Sequence, residues 1–409
     1  MKRLVGKAVT LLWPLLLGFV IGVITIVFKN QQSFFSHSIL SPLGLTPEIL
    51  SVRVPSKKPV IGFLPYWTMR DAHIPYHLLD YLAYFGVGLQ ADGEIKKRDE
   101  QNVEMGWYNL QGKRAAEILE TAKKKGVGTM IVVTAFDNEV IDNLTSNPVA
   151  KAKAIQNIKN LVQRYNFDAV NIDFEYHLGK EVASNAGGGY STFLKDLKAE
   201  LETVNPNIMI SVDLYANAFI TDFPYQTKEL EPYVDYLVLM GYDFHRAAST
   251  NAGPVAPLRS QTGKSITEAI ESVIKKELSL EKVVLAIPFY GYEWQTASQE
   301  YGSPTYQGTG AMASYKRVHT LIKDEKLEPF WDFQAMAPWL VYEKDNVTKQ
   351  IYFENDQSIG LKLQLVDQVN LGGIAFWALG YEGKRASVWN VVEQWRLDQV
   401  GSLEPEQVN

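Results

Sequence analysis

Cysteine is absent from all 409 residues, which excludes disulfides, thiolate metal centres, iron–sulfur clusters and a cysteine nucleophile together. Histidine is scarce, with six in the chain and no H-E-x-x-H, so the sequence predicts no catalytic metal. No strand-like run leads into G-x-G-x-x-G or G-x-x-x-x-G-K-[ST], and no G-x-S-x-G is present. That removes the nucleotide-binding loops and disfavours a serine hydrolase, and no cofactor is implied. A basic stripe is missing as well: 40 Lys+Arg stand against 46 Asp+Glu, a net charge of −6, so no nucleic-acid partner is expected. Aromatics, by contrast, are plentiful, with 9 Trp, 21 Tyr and 18 Phe. Flat apolar rings with a polar tip suit surfaces that grip partly polar ligands.

Residues Ala8–Phe28 give 21 successive positions without a charge. At about 1.5 Å per residue, a helix of that length spans the roughly 30 Å hydrocarbon core of a bilayer. Lys2, Arg3 and Lys7 precede the run and only Lys29 follows closely. The positive-inside rule therefore predicts a single-pass transmembrane helix, with the amino terminus inside and the rest of the chain extracytoplasmic. A cleaved signal peptide is the alternative, but its apolar region is usually about 7–15 residues and ends in small residues, whereas Lys29-Asn30-Gln31-Gln32 follows here. Residues 30–58 are rich in Ser, Pro and Gln and read as a tether, Lys57-Lys58 included as solvated charge. Lys123-Lys124-Lys125 likewise reads as a solvated face.

From residue 59 onward, short apolar runs recur: Val60–Leu64, Tyr81–Gly86, Thr129–Thr134, Ala169–Phe174, Ile208–Leu214, Tyr236–Met240, Val283–Ile287 and Gly373–Trp377. Helical patterns separate most of them. In the clearest, Asn147-Pro148 supplies the cap and first turn, and Ile155, Ile158, Leu161, Val162 and Tyr165 share a face. Eight alternating β/α units predict an α/β fold, a parallel sheet closed into a (β/α)8 TIM barrel. Gly187-Gly188-Gly189 reads as a flexible loop. The interval between Ile287 and Gly373 is too long for one helix. It predicts a small α+β insertion over about 292–370, with a helix near Met312–Asp324 and strand-like Gln350–Phe353. The barrel is expected to run over 59–398, followed by a tail at 399–409.

Within the fourth run, polar Asn171, Asp173 and Glu175 alternate with Ile172 and Phe174. Side chains alternate across a strand, so the three polar residues share a side. In a barrel that side is the interior, with Glu175 at the mouth where such folds place chemistry. Two carboxylates at i and i+2, roughly 6–7 Å apart on one face, are poorly placed to flank a bond from opposite sides. They suit a mechanism in which Glu175 protonates a leaving oxygen while the substrate supplies its own nucleophile, such as a neighbouring acetamido oxygen. Asp173 would orient that amide, and its charge would raise the Glu175 pKa.

Asp168-x-x-Asn171-x-Asp173-x-Glu175 resembles the D-x-x-D-x-D-x-E signature of family 18 glycoside hydrolases, which include chitinases and spore-cortex glucosaminidases. Met240-Gly241-Tyr242-Asp243 is similar to the family's M-x-Y-D, and Trp377 to the tryptophan closing the eighth strand. The resemblance covers roughly residues 59–395. It implies a retaining glycosidase cleaving β-1,4 bonds of N-acetylglucosamine-containing polymers, chitin or peptidoglycan glycan. Glu175, Asp173 and Tyr242 would be catalytic, Asn171 and Asp243 supporting, and Trp377 the floor beneath the cleaved sugar. Asn171 replaces the signature's second Asp, and its amide is expected to donate to Asp173. Tyr66, Trp67, Tyr215 and Trp294 are candidates for stacking on sugars, and His245 for lining the cleft. A non-catalytic, lectin-like relative is the alternative. The chain is expected to be a monomer.

Overall fold

Each apolar run with a two-residue period becomes a strand: β1 (Val60–Pro65), β2 (Tyr81–Gly88), β3 (Gly128–Ala135), β4 (Ala169–Phe174), β5 (Met209–Tyr215), β6 (Tyr236–Met240), β7 (Val283–Pro288) and β8 (Gly373–Trp377). In the computed structural model all eight pair in parallel with their neighbours, and β8 returns to β1 to close the barrel. The structure describes residues 58–401 apart from 100–101, 178, 180–181, 183–185, 262–263 and 385–386. The proposed transmembrane helix and tether up to residue 57 lie outside that range. Among the described residues, no helix is long and apolar enough to cross a membrane.

Alternate residues of each strand fill the barrel. Ile61, Phe63, Ala83, Met130, Val132, Ala169, Met209, Val238, Val284, Ala286 and Ala375 pack into one core, with Phe85, Tyr242 and Trp377 packed against it. The opposite end is stapled by acids placed just before a strand. Asp80 accepts from Val60 N (2.8 Å), Asp168 from Thr129 N (2.8 Å) and Thr129 Oγ1 (3.0 Å), and Asp235 from Ile210 N (2.8 Å). Each carboxylate thereby satisfies a backbone donor at the start of the preceding strand. Arg396 adds its charge to Asp80.

Helix Pro148–Tyr165 begins as its sequence requires. The Asn147 side chain accepts from Val149 N and Ala150 N, with Pro148 in the first turn, and Ile155, Ile158, Leu161 and Val162 are buried. Lys123 is half-buried rather than freely solvated: its Nζ donates to Tyr165 O (3.1 Å) at that helix's end, where a cation answers the exposed carbonyls. Lys58 departs from the tether reading altogether. Only 4% exposed, it donates to Asn370 Oδ1 (2.9 Å) and Leu371 O (2.6 Å).

The triple glycine is not a loop. Helix Ala186–Glu202 starts there, and glycine is required by close packing: a Cβ on Gly187 would lie 2.8 Å from Pro224 O and from the Gln226 side chain.

Between β7 and β8 stands a five-stranded antiparallel sheet in the order Ala311–Ser314, Tyr290–Gln295, Val347–Tyr352, Ala337–Lys344, Phe330–Asp332. Helix Tyr315–Glu325 packs on it through Val318, which joins Ala313, Leu340, Ile351 and Phe353 in a second small core. The helix begins later than its pattern suggested because Ala311–Ser314 pairs with Tyr290–Glu293, and Ser314 then caps it. Glu293, buried on this sheet, is held by Arg317 and Lys349 (3.0 Å), and these cations keep its carboxyl below the usual range despite burial.

Candidate active site

The inward alternation of β4 continues past the strand's end, so Asn171, Asp173 and Glu175 climb from the barrel interior to its mouth. Asn171 and Asp173 are buried, and Glu175 is half-buried. Asn171 does not donate to Asp173. It sits level with Ser211 on β5, and its amide reaches sideways, to Ser211 Oγ (2.9 Å) and Asp213 Oδ1 (2.8 Å). Two residues along one strand are too far apart for that short side chain, whereas the register partner on the next strand is close. Asp173 Oδ1 is left buried without a hydrogen-bond partner.

Asp213 is therefore a third carboxyl in the site, buried like Asp173, and the sequence reading passed over it. The signal was there: Ser211, Asp213 and Tyr215 alternate along β5 as Asn171, Asp173 and Glu175 do along β4. Tyr215, read as a sugar-stacking candidate, lines the cavity beside these acids and donates its hydroxyl to Glu175 Oε2. Arg246 lies over the Tyr215 ring with its guanidinium carbon 5.0 Å from the centroid.

Burial pushes all three carboxyls upward. Glu175 rises to about 7, with Asp243 adding to the burial effect while the hydrogen bond shared with Asp173 and the charge of Arg246 oppose it. The rise thus comes first from desolvation and not from an anionic Asp173, as the sequence had suggested. Asp173 is raised by burial and then by the charges of Glu175 and Asp213. Asp213 rises to about 8 through burial, moderated by the Asn171 amide. Three acids so close titrate as a set, and near neutral pH the set retains protons.

Around them lies an open cavity of about 220 Å3 whose lining includes Asp173, Glu175, Asp213, Tyr242, Asp243 and Trp377. Tyr242 follows β6, and burial together with the neighbouring carboxylates keeps its hydroxyl protonated, a ready donor. Asp243 accepts from Tyr290 of the insertion. Trp377, at the end of β8, is braced edge-on by Phe85 (4.6 Å between centroids) and Phe63 (6.0 Å). Tyr290, Tyr292, Met312 and Tyr381 complete one wall. Three of these four come from the insertion, whose folding back over the mouth no local pattern announces.

Four other candidates stand apart from this cavity. Trp67 is exposed, donates to Tyr381 Oη (3.0 Å) and supports Trp377 edge-on at 6.3 Å, with Tyr66 behind it at 4.8 Å. His245 turns away: its ring lies against Gly253, donates to Pro254 O (2.8 Å), and is held neutral by burial. Trp294 is wholly buried because the loop after β6 folds over it, and its indole donates to Arg246 O and Ala247 O, both at 3.2 Å. Among the described residues, no cluster of three or more His, Asp and Glu is arranged to hold a metal ion.

The sequence profile of the glycosyl hydrolases family 18 matches residues 59–382. The chain belongs to that family. This family 18 glycosidase is 25% identical over 287 residues to the Bacillus subtilis glycosylase YvbX, covering 68% of this chain and 77% of the relative. The cortical fragment-lytic enzyme of Bacillus anthracis is 24% identical over 313 residues, 74% of this chain and 65% of that one. In three dimensions the glycosidase superimposes on the Group IV chitinase of Ostrinia furnacalis in complex with allosamidin, with a TM-score of 0.71 at 20% identity, over 84% of this chain and 99% of the chitinase.

Proposed function

We propose that this glycosidase cleaves β-1,4 bonds of polymers containing N-acetylglucosamine by substrate-assisted catalysis with retention of configuration. The observation that carries the reading is the carboxyl set. A raised Glu175 at the mouth is a general acid at neutral pH, and Asp173, two residues earlier on the same strand, is placed to orient an acetamido group of the substrate.

Glu175 gives its proton to the bridging oxygen as the bond from that oxygen to the anomeric carbon breaks. The acetamido oxygen of the same sugar bonds to the anomeric carbon from the opposite face. Asp173 accepts a hydrogen bond from the acetamido N–H, and the Tyr242 hydroxyl donates to the acetamido oxygen. Water then attacks as Glu175 takes its proton, the acetamido bond opens, and configuration is retained. Trp377 supplies the apolar floor for the sugar. The likeness to a cortical fragment-lytic enzyme and to a chitinase supports N-acetylglucosamine as the sugar beside the cut. The reading includes a membrane anchor over Ala8–Phe28 that holds the barrel outside the membrane.

Reducing-sugar release from purified peptidoglycan strands and from chitin oligomers, by the chain and by its Glu175→Gln variant, tests the proposal. Release by the parent and none by the variant is the expected result. Equal release by both would sink it, and sugar binding without release by either would favour the lectin-like alternative.

A further inference from the structure

A second cavity, of about 470 Å3, adjoins the first and shares Tyr215, Tyr242 and Asp243 with it. Its character is opposite. The first cavity is lined by four carboxyls, Asp173, Glu175, Asp213 and Asp243, and by no cation. The second is lined by Arg246 and Lys264, with Asp243 its one acid.

Arg246 is built into place. Its side-chain Nε donates to Asp243 O (3.1 Å), its backbone N to Ser249 Oγ (2.8 Å), and its carbonyl is gripped by the buried Trp294 indole. Asp243 Oδ2, 3.8 Å from Nε, answers part of its charge. Lys264 is exposed where it lines the cavity, and its charge is felt by Glu268. Ile220 and Phe244 add apolar lining.

The position of this cavity along the substrate follows from Tyr215, which touches Glu175 and lines both spaces. Under the proposed function Glu175 protonates the leaving oxygen, so the space beyond Tyr215 receives the sugar on the leaving side. We infer that this second cavity binds a leaving-side sugar bearing a carboxylate substituent, with Arg246 and Lys264 as its anion-binding residues. A guanidinium fork takes a carboxylate in two parallel hydrogen bonds, and an exposed ammonium adds attraction. Muramyl sugars of peptidoglycan carry such an acidic group, next to a methyl, wherever the stem peptide has been removed; the sugars of chitin are neutral. The inference rests on the proposed function for the direction of the substrate.

The test is equilibrium binding to the full-length Glu175→Gln chain, which reads affinity without turnover. The probes are peptidoglycan glycan strands with free carboxylates and the same strands with every carboxyl amidated. The charged strands are expected to bind about two- to five-fold more tightly, within what exposed ion pairs contribute. That ratio should shrink with added salt and fall towards one when Lys264→Gln and Arg246→Gln are combined in the same chain. Equal affinity for the two strands, or a preference that survives the double substitution, would overturn the inference. Turnover by the parent chain reports separately on the proposed function, so the two can fail independently.

Discussion

Asp168 and Asp173 stand at opposite ends of one strand and have opposite fates. Asp168 receives a backbone N–H and a hydroxyl from Thr129, both within 3.0 Å. Asp173 is buried with Oδ1 unpartnered and two further carboxyls beside it. The first is what a stable fold does with a carboxylate; the second is a local cost that the proposed function would account for, since a buried polar group without a partner destabilises by about 1–3 kcal/mol. Under the proposed function, stability and chemistry in this barrel are separated by the length of β4.

The largest effect that would break this comparison is at Glu175. Glu175→Gln should lower kcat by about 10²–10⁴-fold, the range for a general acid, with sugar affinity retained. A loss below ten-fold in steady-state kinetics would remove Glu175 from that role. Asp173→Asn should follow with a loss of about 10²-fold in kcat and a rise in thermal midpoint, because a desolvated acid is removed. Asp168→Ala should do the reverse, leaving kcat within about two-fold while lowering stability by about 1–3 kcal/mol in denaturant titration. If both variants moved activity and stability in the same direction, the division between the two strand ends would not hold.

The pH dependence sharpens the contrast further. Glu175 and Asp213 titrate at about 7 and about 8 against ordinary values of 4.5 and 3.8. A raised acid binds more protons in the folded than in the unfolded state, so its stabilising contribution is complete below about pH 4 and disappears as pH climbs to about 7–8. Asp213→Asn should therefore gain thermal stability over the parent on going from pH 5 to pH 8, by calorimetry; a constant difference would contradict the raised pKa. Activity should decline as pH rises through about 7, when Glu175 loses its proton. Asn171→Asp should give the smallest change. An extra carboxyl beside Asp213 should move the alkaline limb of the kcat/KM profile upward by up to about one unit, and a downward move would show that the amide of Asn171 matters more than its lack of charge.

The barrel was legible because a strand with one buried face writes its period into eight short runs. The acids of β4 were legible by the same alternation, and Asp213 was readable from it too, since Ser211-Val212-Asp213-Leu214-Tyr215 repeats the pattern one strand on. What local pattern does not carry is which surface a distant segment covers. Trp294 and His245 look free in the sequence, and one is sealed by residues 246–247 and the other by Gly253-Pro254. Gly187 reads as slack chain until residues 224–226 press against it. Lys58 reads as solvated until the turn at 370–371 closes over it.

The insertion has a bearing on how a polymer enters. Its strand Tyr290–Gln295 leaves β7 after a single residue, Phe289, and is fastened at Asp243 by Tyr290 and at residues 246–247 by Trp294. The wall of the cleft and the loop bearing the Tyr242-Asp243 pair are one stitched piece. Under the proposed function, a glycan strand would meet a wall already pinned to that loop by the Tyr290 and Trp294 hydrogen bonds.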